Sequence, residues 1–189
     1  MRPRKLSLLD QPNIIKHLTS LQGHDRRLRF GCMVSDDYIV DYVNKSFVSD
    51  SKWFGVVDTD NIVAACHVAF IDKQAELGCS VNIEYRGTGL AQSMFDRAMN
   101  WVRIRGVTEV YMHCLSENGA MKHIARKNDM LVVSECGDSD ASVHVKPATP
   151  FVHFEDAYAD RLSMYDMLYR YNMDVWNLNT RYDKSTNLQ

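Results

Sequence analysis

The spacing of apolar residues predicts two helices and four strands in the first half of the chain. Apolar side chains recur every three or four residues over Gln11–Leu21 and Ser35–Phe47, and each segment has polar capping residues at its start. Extended, largely apolar segments with turn residues between them are typical of strands. These strands are predicted over Arg4–Leu9, Lys52–Val57, Ile62–Ile71 and Ala75–Ile83, with a hairpin turn at Asp58–Asn61.

The pattern changes to helical spacing after residue 89. Leu90, Met94, Ala98 and Val102 fall on one face of a predicted helix, which Gly106 ends. The remaining predicted elements are a strand over Glu109–Leu115, a helix over Asn118–Lys127, and strands over Leu131–Cys136 and Ala141–Val145. This order predicts an α/β (α+β) fold in which helices flank a mixed, largely antiparallel central sheet.

The composition of Pro147–Pro150 indicates a linker, so we expect one domain over residues 1–146 and a C-terminal helical extension over residues 151–189. A long helix is predicted over Phe154–Arg181. Its apolar stripe is expected to pack on the domain, with a homodimer contact or a lid over the acceptor cleft as alternatives. The stripe contains Tyr158, Leu162, Tyr165, Met167, Leu168, Tyr171, Val175 and Trp176.

Charge and composition exclude several classes of function. The formal net charge is −2 and the pI about 6.4, which argues against nucleic acid as a partner. The basic clusters Arg2–Lys5 and Arg26–Arg29 are interpreted as solvated surface. We recognise neither a secretion signal nor a membrane span, so we expect a cytoplasmic protein. The five scattered cysteines lack metal-ligand spacing, and we expect reduced, buried thiols and no metal.

One motif carries chemistry: Arg86-Gly87-Thr88-Gly89-Leu90-Ala91, between a predicted strand and a predicted helix. Glycines let the backbone turn tightly and approach a ligand closely. Consecutive N–H groups that open onto a helix N-terminus favour a bound anion such as a diphosphate. A glycine turn can also simply end a strand. Neither a Walker A ending nor the three glycines of a dinucleotide fold are present.

The ordered elements around this motif resemble the GNAT superfamily of N-acetyltransferases. That family has the signature Arg/Gln-x-x-Gly-x-Gly/Ala after its fourth strand, and Arg86–Ala91 matches it without a gap. The preceding strand Ala75–Val81, the later strand Val110–Leu115 and the helix that opens at Asn118 follow in the family's order. The resemblance covers about residues 52–136, and Ser116–Met130 is similar to the protein-acetylating bacterial branch.

The resemblance implies that acetyl-CoA is the cofactor and assigns binding roles to particular residues. Main-chain groups of Cys79 and Val81 would bond the pantetheine amides. The side chain of Asn118 would also contact coenzyme A. The signature Arg86 and the main-chain N–H groups of Gly87, Thr88, Gly89, Leu90, Ala91 and Gln92 would surround the pyrophosphate.

Two residues are candidates for the base that deprotonates the attacking amine. Glu76 resembles in position the glutamate of histone-acetylating relatives, and partial shielding from water would suit a carboxylate to this role. His113 is the rival because histidine titrates near neutrality. A second histidine, His67, is a weaker candidate. Either strand residue could instead be an ordinary surface or packed side chain.

The chain departs from the family at the acid that protonates the leaving thiolate. Many relatives place a tyrosine seven residues after the asparagine, and Ala125 stands there. Solvent, Ser116 or Tyr85 would then supply the proton. The sequence therefore predicts an N-acetyltransferase that moves an acetyl group from acetyl-CoA to a primary amine, of a protein lysine or a small molecule, by direct attack. The alternatives are a catalytically weak or inactive coenzyme A-binding regulatory module, or a structural protein with a chance glycine turn.

Overall fold

The computed structural model describes residues 1–135 and 137–186, and in the last helix it describes side chains through residue 165 and at residues 168, 169 and 172. The helices are α1 (Gln11–Thr19), α2 (Gly23–Phe30), α3 (Asp36–Ser46), α4 (Leu90–Ile104), α5 (Gly119–Lys127) and α6 (Pro150–Thr186). The strands are β1 (Arg4–Lys5), β2 (Ser51–Asp58), β3 (Asn61–Ile71), β4 (Gln74–Val81), β5 (Glu109–Leu115), β6 (Leu131–Glu135) and β7 (Asp138–His144).

The strands form one sheet of seven in the order β1-β2-β3-β4-β5-β7-β6. Only the pair β4 and β5 is parallel, so the prediction of a mixed, largely antiparallel sheet is confirmed. The two-residue turn between β2 and β3 places Thr59 and Asp60 at positive φ, which the twist of a tight hairpin requires. This sheet supplies the strand edges that position the candidate site.

The first predicted strand, Arg4–Leu9, is wrong beyond Lys5. The chain instead turns into a short 3₁₀ helix over Leu8–Asp10. The cause is local: the carboxylate of Asp10 accepts a hydrogen bond from the N–H of Ser7 at 2.8 Å, closing a capping box. This turn ends β1 early and starts α1.

The sequence did not predict α2. Its eight residues include one histidine and three arginines, and its apolar residues do not recur at helical spacing. The interpretation of Arg26–Arg29 as solvated surface is also wrong for its two ends. Arg26 donates to the carbonyl of Thr19 at 2.5 Å, and Arg29 lies partly buried against β4. Polar contacts, rather than an amphipathic pattern, therefore hold α2 in place.

Two apolar clusters lie on opposite faces of the sheet. One packs α4 and α5 on the sheet, and the predicted inward face of α4 (Leu90, Met94, Ala98, Val102) is buried in it. The other packs α1 and α3 around Trp53. The structure places Cys66, Cys79 and Cys114 in buried positions as free thiols, as expected, but Cys32 is exposed; Cys136 lies outside the described residues.

A buried ion-pair network ties α6 to the rest of the chain. Arg97 of α4 is only 8% exposed and contacts both Asp156 and Asp160 of α6, with Nη2 of Arg97 2.6 Å from Asp160. Lys5 of β1 contacts the same two carboxylates at 2.8 and 2.6 Å. The polar cluster thus joins β1, α4 and the start of α6.

The predicted apolar stripe of α6 is mostly exposed at those of its residues whose side chains the structure describes. Tyr158, Tyr165 and Leu168 are exposed, and Leu162 is partly buried. The stripe residues Met167, Tyr171, Val175 and Trp176 lie outside the described side chains. Among the described residues, no helix has the length and apolar character needed to cross a membrane.

The ion-pair network predicts that Asp156→Ala lowers the stability of the folded protein, because the substitution leaves the buried guanidinium of Arg97 with one carboxylate fewer. Breaking a buried pair typically costs about 3 kcal/mol. The free energy of unfolding in urea should fall by about that amount, whereas Glu155→Ala, which removes an exposed acid of the same helix, should change it little. Equal effects of the two variants would contradict this account.

Candidate functional site

The two parallel strands β4 and β5 are neighbours over only a short stretch. Residues 74–76 pair with residues 109–111, and the described part of the chain contains no pairing between these strands beyond that point. Both continue, β4 to Val81 and β5 to Leu115, and β5 pairs with β7 along its other edge from Glu109 to Leu115. The strands therefore diverge and leave a gap beside the second half of β4.

Alternate residues of β4 point their main-chain groups into this gap. The N–H of Asn82 donates to the carbonyl of Val63 at 2.9 Å, which fixes the alternation of the β3–β4 ladder. By that alternation the main-chain groups of Cys79 and Val81 face away from β3. The carbonyl of Val81 accepts a bond from Nε of Arg86 at 3.2 Å. The geometry agrees with the pantetheine contacts expected at Cys79 and Val81, which stay a prediction.

A cavity of about 470 Å³ extends from this gap to the glycine turn. That volume lies within the usual range of small-molecule sites. Its walls come from α2, β4, the glycine turn, the start of α4 and α5. All residues that the sequence assigns to cofactor binding line it except Thr88, whose hydroxyl donates to the carbonyl of Tyr85 at 2.6 Å.

The glycine turn presents a row of main-chain donors. Gly87 and Gly89 have φ values of +74° and +82°, a conformation that residues with a Cβ rarely adopt. Within the described residues, the N–H groups of residues 87–92 have no hydrogen-bond acceptor, and the first bond is from Ser93 N to the carbonyl of Gly89 at 3.0 Å. A Cβ at either glycine would meet open space. Free donors at a helix N-terminus suit a bound diphosphate.

Asn118 lies at the opposite wall and is buried. Its side-chain oxygen accepts a bond from the N–H of Met121 at 3.1 Å and so caps α5. Its amide nitrogen donates to the carbonyl of Leu28 in α2 at 3.4 Å. The side chain therefore joins α2 to α5 across the cavity, and its predicted contact with the cofactor would have to replace or share the weaker second bond.

The charged side chains of the cavity wall favour an anionic ligand. Arg29, Arg86 and Lys127 line it, against one carboxylate, Asp25. Asp25 is already paired with Arg86 at 2.8 Å. Coenzyme A carries several phosphate charges, so the donor set and the surplus of cations both fit it.

The two candidate bases lie on neighbouring strands but outside the cavity wall. Glu76 of β4 is partly buried and stands opposite Tyr111 of β5. His113 is exposed, and its Nδ1 lies 2.7 Å from the carboxylate of Asp140. The hydrogen bond to Asp140 raises the pKa of His113 above its usual range, against a smaller lowering by burial. A shift that favours the protonated ring makes His113 the poorer base of the two.

Comparison with known proteins decides the family. The family model described as an acetyltransferase (GNAT) domain matches residues 15–131, well over half of the chain. The chain belongs to the GNAT acetyltransferase family. It is therefore a GNAT-type acyltransferase, as the glycine signature predicted. No curated protein sequence matches it significantly.

Solved structures show the same GNAT fold at low sequence identity. The GNAT domain of PAT from S. lividans has a TM-score of 0.66 at 14% identity, over 75% of this chain and 89% of that one. PaiA N-acetyltransferase from Thermoplasma acidophilum, in complex with coenzyme A, has a TM-score of 0.57 at 16% identity, over 76% and 98%. The ribosomal-protein-S18-alanine N-acetyltransferase from Escherichia coli has a TM-score of 0.58 at 12% identity, over 78% and 96%.

The usual GNAT acid is replaced by packing in this protein. Ala125, at the position where many relatives have a tyrosine, is 1% exposed and part of the core beneath α5. Tyr85 lines the cavity, but its hydroxyl donates to Asp58 at 2.7 Å, and this bond raises the pKa of Tyr85. Ser116 does not line the cavity. Solvent is thus the simplest proton source for a thiolate leaving this site.

Sequence reasoning missed a polar chain behind the GNAT cavity. Arg29, which lines the cavity, donates to the hydroxyl of Tyr42 at 3.1 Å, and that hydroxyl bonds Nδ1 of His67 at 2.7 Å. Because Tyr42 accepts from Arg29, its own proton goes to His67. Burial, with the charge of Arg29, lowers the pKa of His67 to about 3, so this ring is neutral. His67, the weaker candidate base, is thus buried behind the cavity. Only the basic run at Arg26–Arg29 hinted at these contacts.

The glycine turn predicts that Gly89→Ala weakens coenzyme A binding more than its cost in stability explains. An alanine at φ +82° costs about 1–2 kcal/mol, and relief of that strain would rotate the free N–H groups away from the ligand. We expect the Kd for coenzyme A, measured by calorimetry, to rise at least about tenfold.

Gly106→Ala is the matched control, because Gly106 has a φ of +72°, open space around its Cβ position and lies just past the other end of α4. It should lose similar stability and keep its affinity. Equal loss of affinity in both variants would show that strain, rather than the donors, governs binding.

The contact of His113 with Asp140 predicts a measurable change of its pKa. Asp140→Asn removes the carboxylate that favours the protonated ring, so the pKa of His113, followed by NMR of the ring protons, should fall toward about 6.5. Because His113 is raised only in the folded state, the stability that the contact contributes is present below pH 6.5 and lost as pH rises through the folded pKa. An unchanged pKa in the variant would contradict the pairing.

Proposed function

We propose that the protein is an N-acetyltransferase that moves the acetyl group of acetyl-CoA to a primary amine by direct attack. The observation that carries the proposal is the continuous path formed by the unpaired edge of β4 and the free N–H groups of residues 87–92. Pantetheine and pyrophosphate together need such a path: an extended strand edge followed by an anion-binding helix N-terminus.

Each wall of the cavity has a distinct part in holding acetyl-CoA. The N–H groups of Gly87 to Gln92 would bond the pyrophosphate, and Cys79 and Val81 would bond the pantetheine amides along β4. Lys127 and Arg86 add positive charge at the mouth. With the cofactor bound in this way, the thioester would lie toward the point where β4 and β5 separate, near residue 77.

The reaction needs a neutral amine at that point. The amine nitrogen of the acceptor attacks the thioester carbonyl carbon, the carbon–sulfur bond breaks, and the thiolate takes a proton from solvent. Glu76 is our candidate for the base because it lies on β4 immediately before the point where β4 and β5 separate, and because it is partly shielded from water. The raised pKa of His113 makes that residue the second choice.

A second candidate function is a coenzyme A-binding regulatory module with little or no turnover. It is favoured by the enclosed Ala125 and by the engagement of the Tyr85 hydroxyl with Asp58, because neither residue is then available as the acid for the leaving thiolate. This candidate predicts the same ligand affinity with no transfer.

The acceptor is a primary amine, and we favour a protein amine such as lysine, with a small amine as the alternative. One structural neighbour acetylates the alanine of a ribosomal protein, which is a protein amine as well. The homodimer through α6 and the cytoplasmic location stay predictions, as does the division of the chain after residue 146.

The direct test is release of free thiol from acetyl-CoA by the purified protein with a panel of amines and lysine peptides. Glu76→Gln should lower kcat/KM by about 100-fold at pH 7 because the base is lost. The deficit should shrink at high pH, where the amine is already neutral. Glu135→Gln, an exposed acid on β6, is the control and should leave the rate unchanged.

Three results are distinguishable. Thiol release that depends on the amine and on Glu76 supports the proposed reaction. Coenzyme A binding without thiol release in any mixture supports the regulatory module. A protein that binds no coenzyme A contradicts both.

A further inference from the structure

Arg29 is a cation at the inner wall of the cavity without an acidic partner. No Asp or Glu lies within ion-pair distance of it among the described residues. In the part of the chain that the structure describes, its buried Nε has no hydrogen-bond acceptor, and its side-chain bond goes to the hydroxyl of Tyr42. The buried Arg97, by contrast, contacts two carboxylates, Asp156 and Asp160. Arg29 also differs from Arg97 in that it lines the cavity.

The surroundings of Arg29 hold it rigidly and keep it charged. Its guanidinium lies 5.0 Å from the ring centroid of Phe30 and 5.8 Å from that of Tyr42. It also lies directly over Gly78 of β4, so that a Cβ there would come within 2.8 Å of Nη1. The side chain is therefore fixed against the strand, and glycine at residue 78 is what permits the approach.

The local field around Arg29 is positive and lacks compensation. Two histidines within reach of its charge are neutral: burial, aided by the charge of Arg29, lowers the pKa of His17 to about 4 and that of His67 to about 3. An enclosed charge is costly unless an opposite charge or strong hydrogen bonds offset it. A bound anion would supply that offset.

The phosphates of coenzyme A are too distant to be this anion. Gly78 lies three residues before Val81, a rise of about 10 Å along the strand, and the glycine turn begins beyond a further short 3₁₀ helix. The pyrophosphate at residues 87–92 is thus at the other end of the cavity. Gly78 lies beside the point where β4 separates from β5. The proposed function assigns this point to the acyl group and the attacking amine.

We propose that Arg29 binds a carboxylate of the substrate at the acyl end of the cavity. The inference rests on the proposed function, since that function fixes which end of the cavity holds the reacting groups. The carboxylate comes either from the acyl group, as in a dicarboxylic acyl-CoA, or from the acceptor, as in an amino acid. The remaining N–H groups of a guanidinium match either carboxylate with charge-assisted bonds.

The first arm of the test compares two donors by calorimetry, succinyl-CoA and butyryl-CoA, whose acyl chains have equal length and differ in the terminal carboxylate. If the carboxylate is on the acyl group, the wild-type protein should bind succinyl-CoA about 10- to 100-fold more tightly. Arg29→Gln should remove this preference, so that it weakens succinyl-CoA binding much more than butyryl-CoA binding. Arg29→Lys, which keeps the charge, should retain part of it.

The second arm uses acetyl-CoA as the donor and compares amino acids with the corresponding amino-acid amides as acceptors. If the acceptor bears the carboxylate, kcat/KM of the wild-type protein should favour the free acids by a similar factor, mainly through KM. Arg29→Gln should again abolish the difference. Arg105→Gln removes a surface cation paired with Asp50 at the far end of α4 and should alter neither arm.

The wild-type preferences need no variant, so the inference remains testable even if Arg29→Gln does not fold. Tight binding of both CoA esters with no preference for a carboxylate in either arm would overturn the inference and leave the proposed function intact. A loss in Arg29→Gln that is the same for acids and amides would also overturn it, because Arg29 would then be structural. Failure to bind either CoA ester would overturn the proposed function itself.

Discussion

The site depends on one incomplete strand pairing. Parallel hydrogen bonding between β4 and β5 stops after residues 74–76, and each strand continues without the other. Main-chain donors and acceptors that lack a partner are costly unless water or a ligand satisfies them. The free edge of β4 is therefore suited to the extended, amide-containing ligand that we propose. The glycine turn at its end adds donors for a phosphate group.

Helix α2 forms a further wall of the cavity. Asp25 reaches Arg86 beside the glycine turn, Arg27 contacts Glu117 before α5, and the carbonyl of Leu28 accepts from Asn118. Each contact joins α2 to a different wall of the cavity. Arg29, next in sequence, is consequently held over β4 rather than extended into solvent. The same helix thus forms part of the cavity wall and holds the charge of Arg29 at the end that we assign to the reacting groups.

Local patterns were sufficient to predict most of the fold. The inward face of α4, the β2–β3 hairpin and the glycine signature all depend on residues close together in sequence, so period and turn chemistry reveal them. The 3₁₀ turn after Lys5 was missed because a single contact between Ser7 and Asp10 overrides the extended pattern. Helix α2 was missed because its stability comes from contacts with residues as distant as Glu117.

The candidate site was predictable only where it consists of main chain. Glycines at residues 87 and 89 are typical of positive φ, and so the candidate anion-binding turn is visible in the sequence. The environment of a side chain is set by tertiary packing instead. Thus no pattern could show that His113 would face Asp140, that Ala125 would be enclosed in the core, or that Arg29 would lack an acid.

The measurement closest to the central claim is the response of the backbone amides of residues 87–92 to coenzyme A, observed by NMR of the labelled protein. The account predicts that these amide protons shift strongly downfield with coenzyme A, as charge-assisted hydrogen bonds form, and stay in place with pantetheine, which lacks the pyrophosphate. Amide protons that remain unmoved by saturating coenzyme A, or that respond equally to pantetheine, would contradict it.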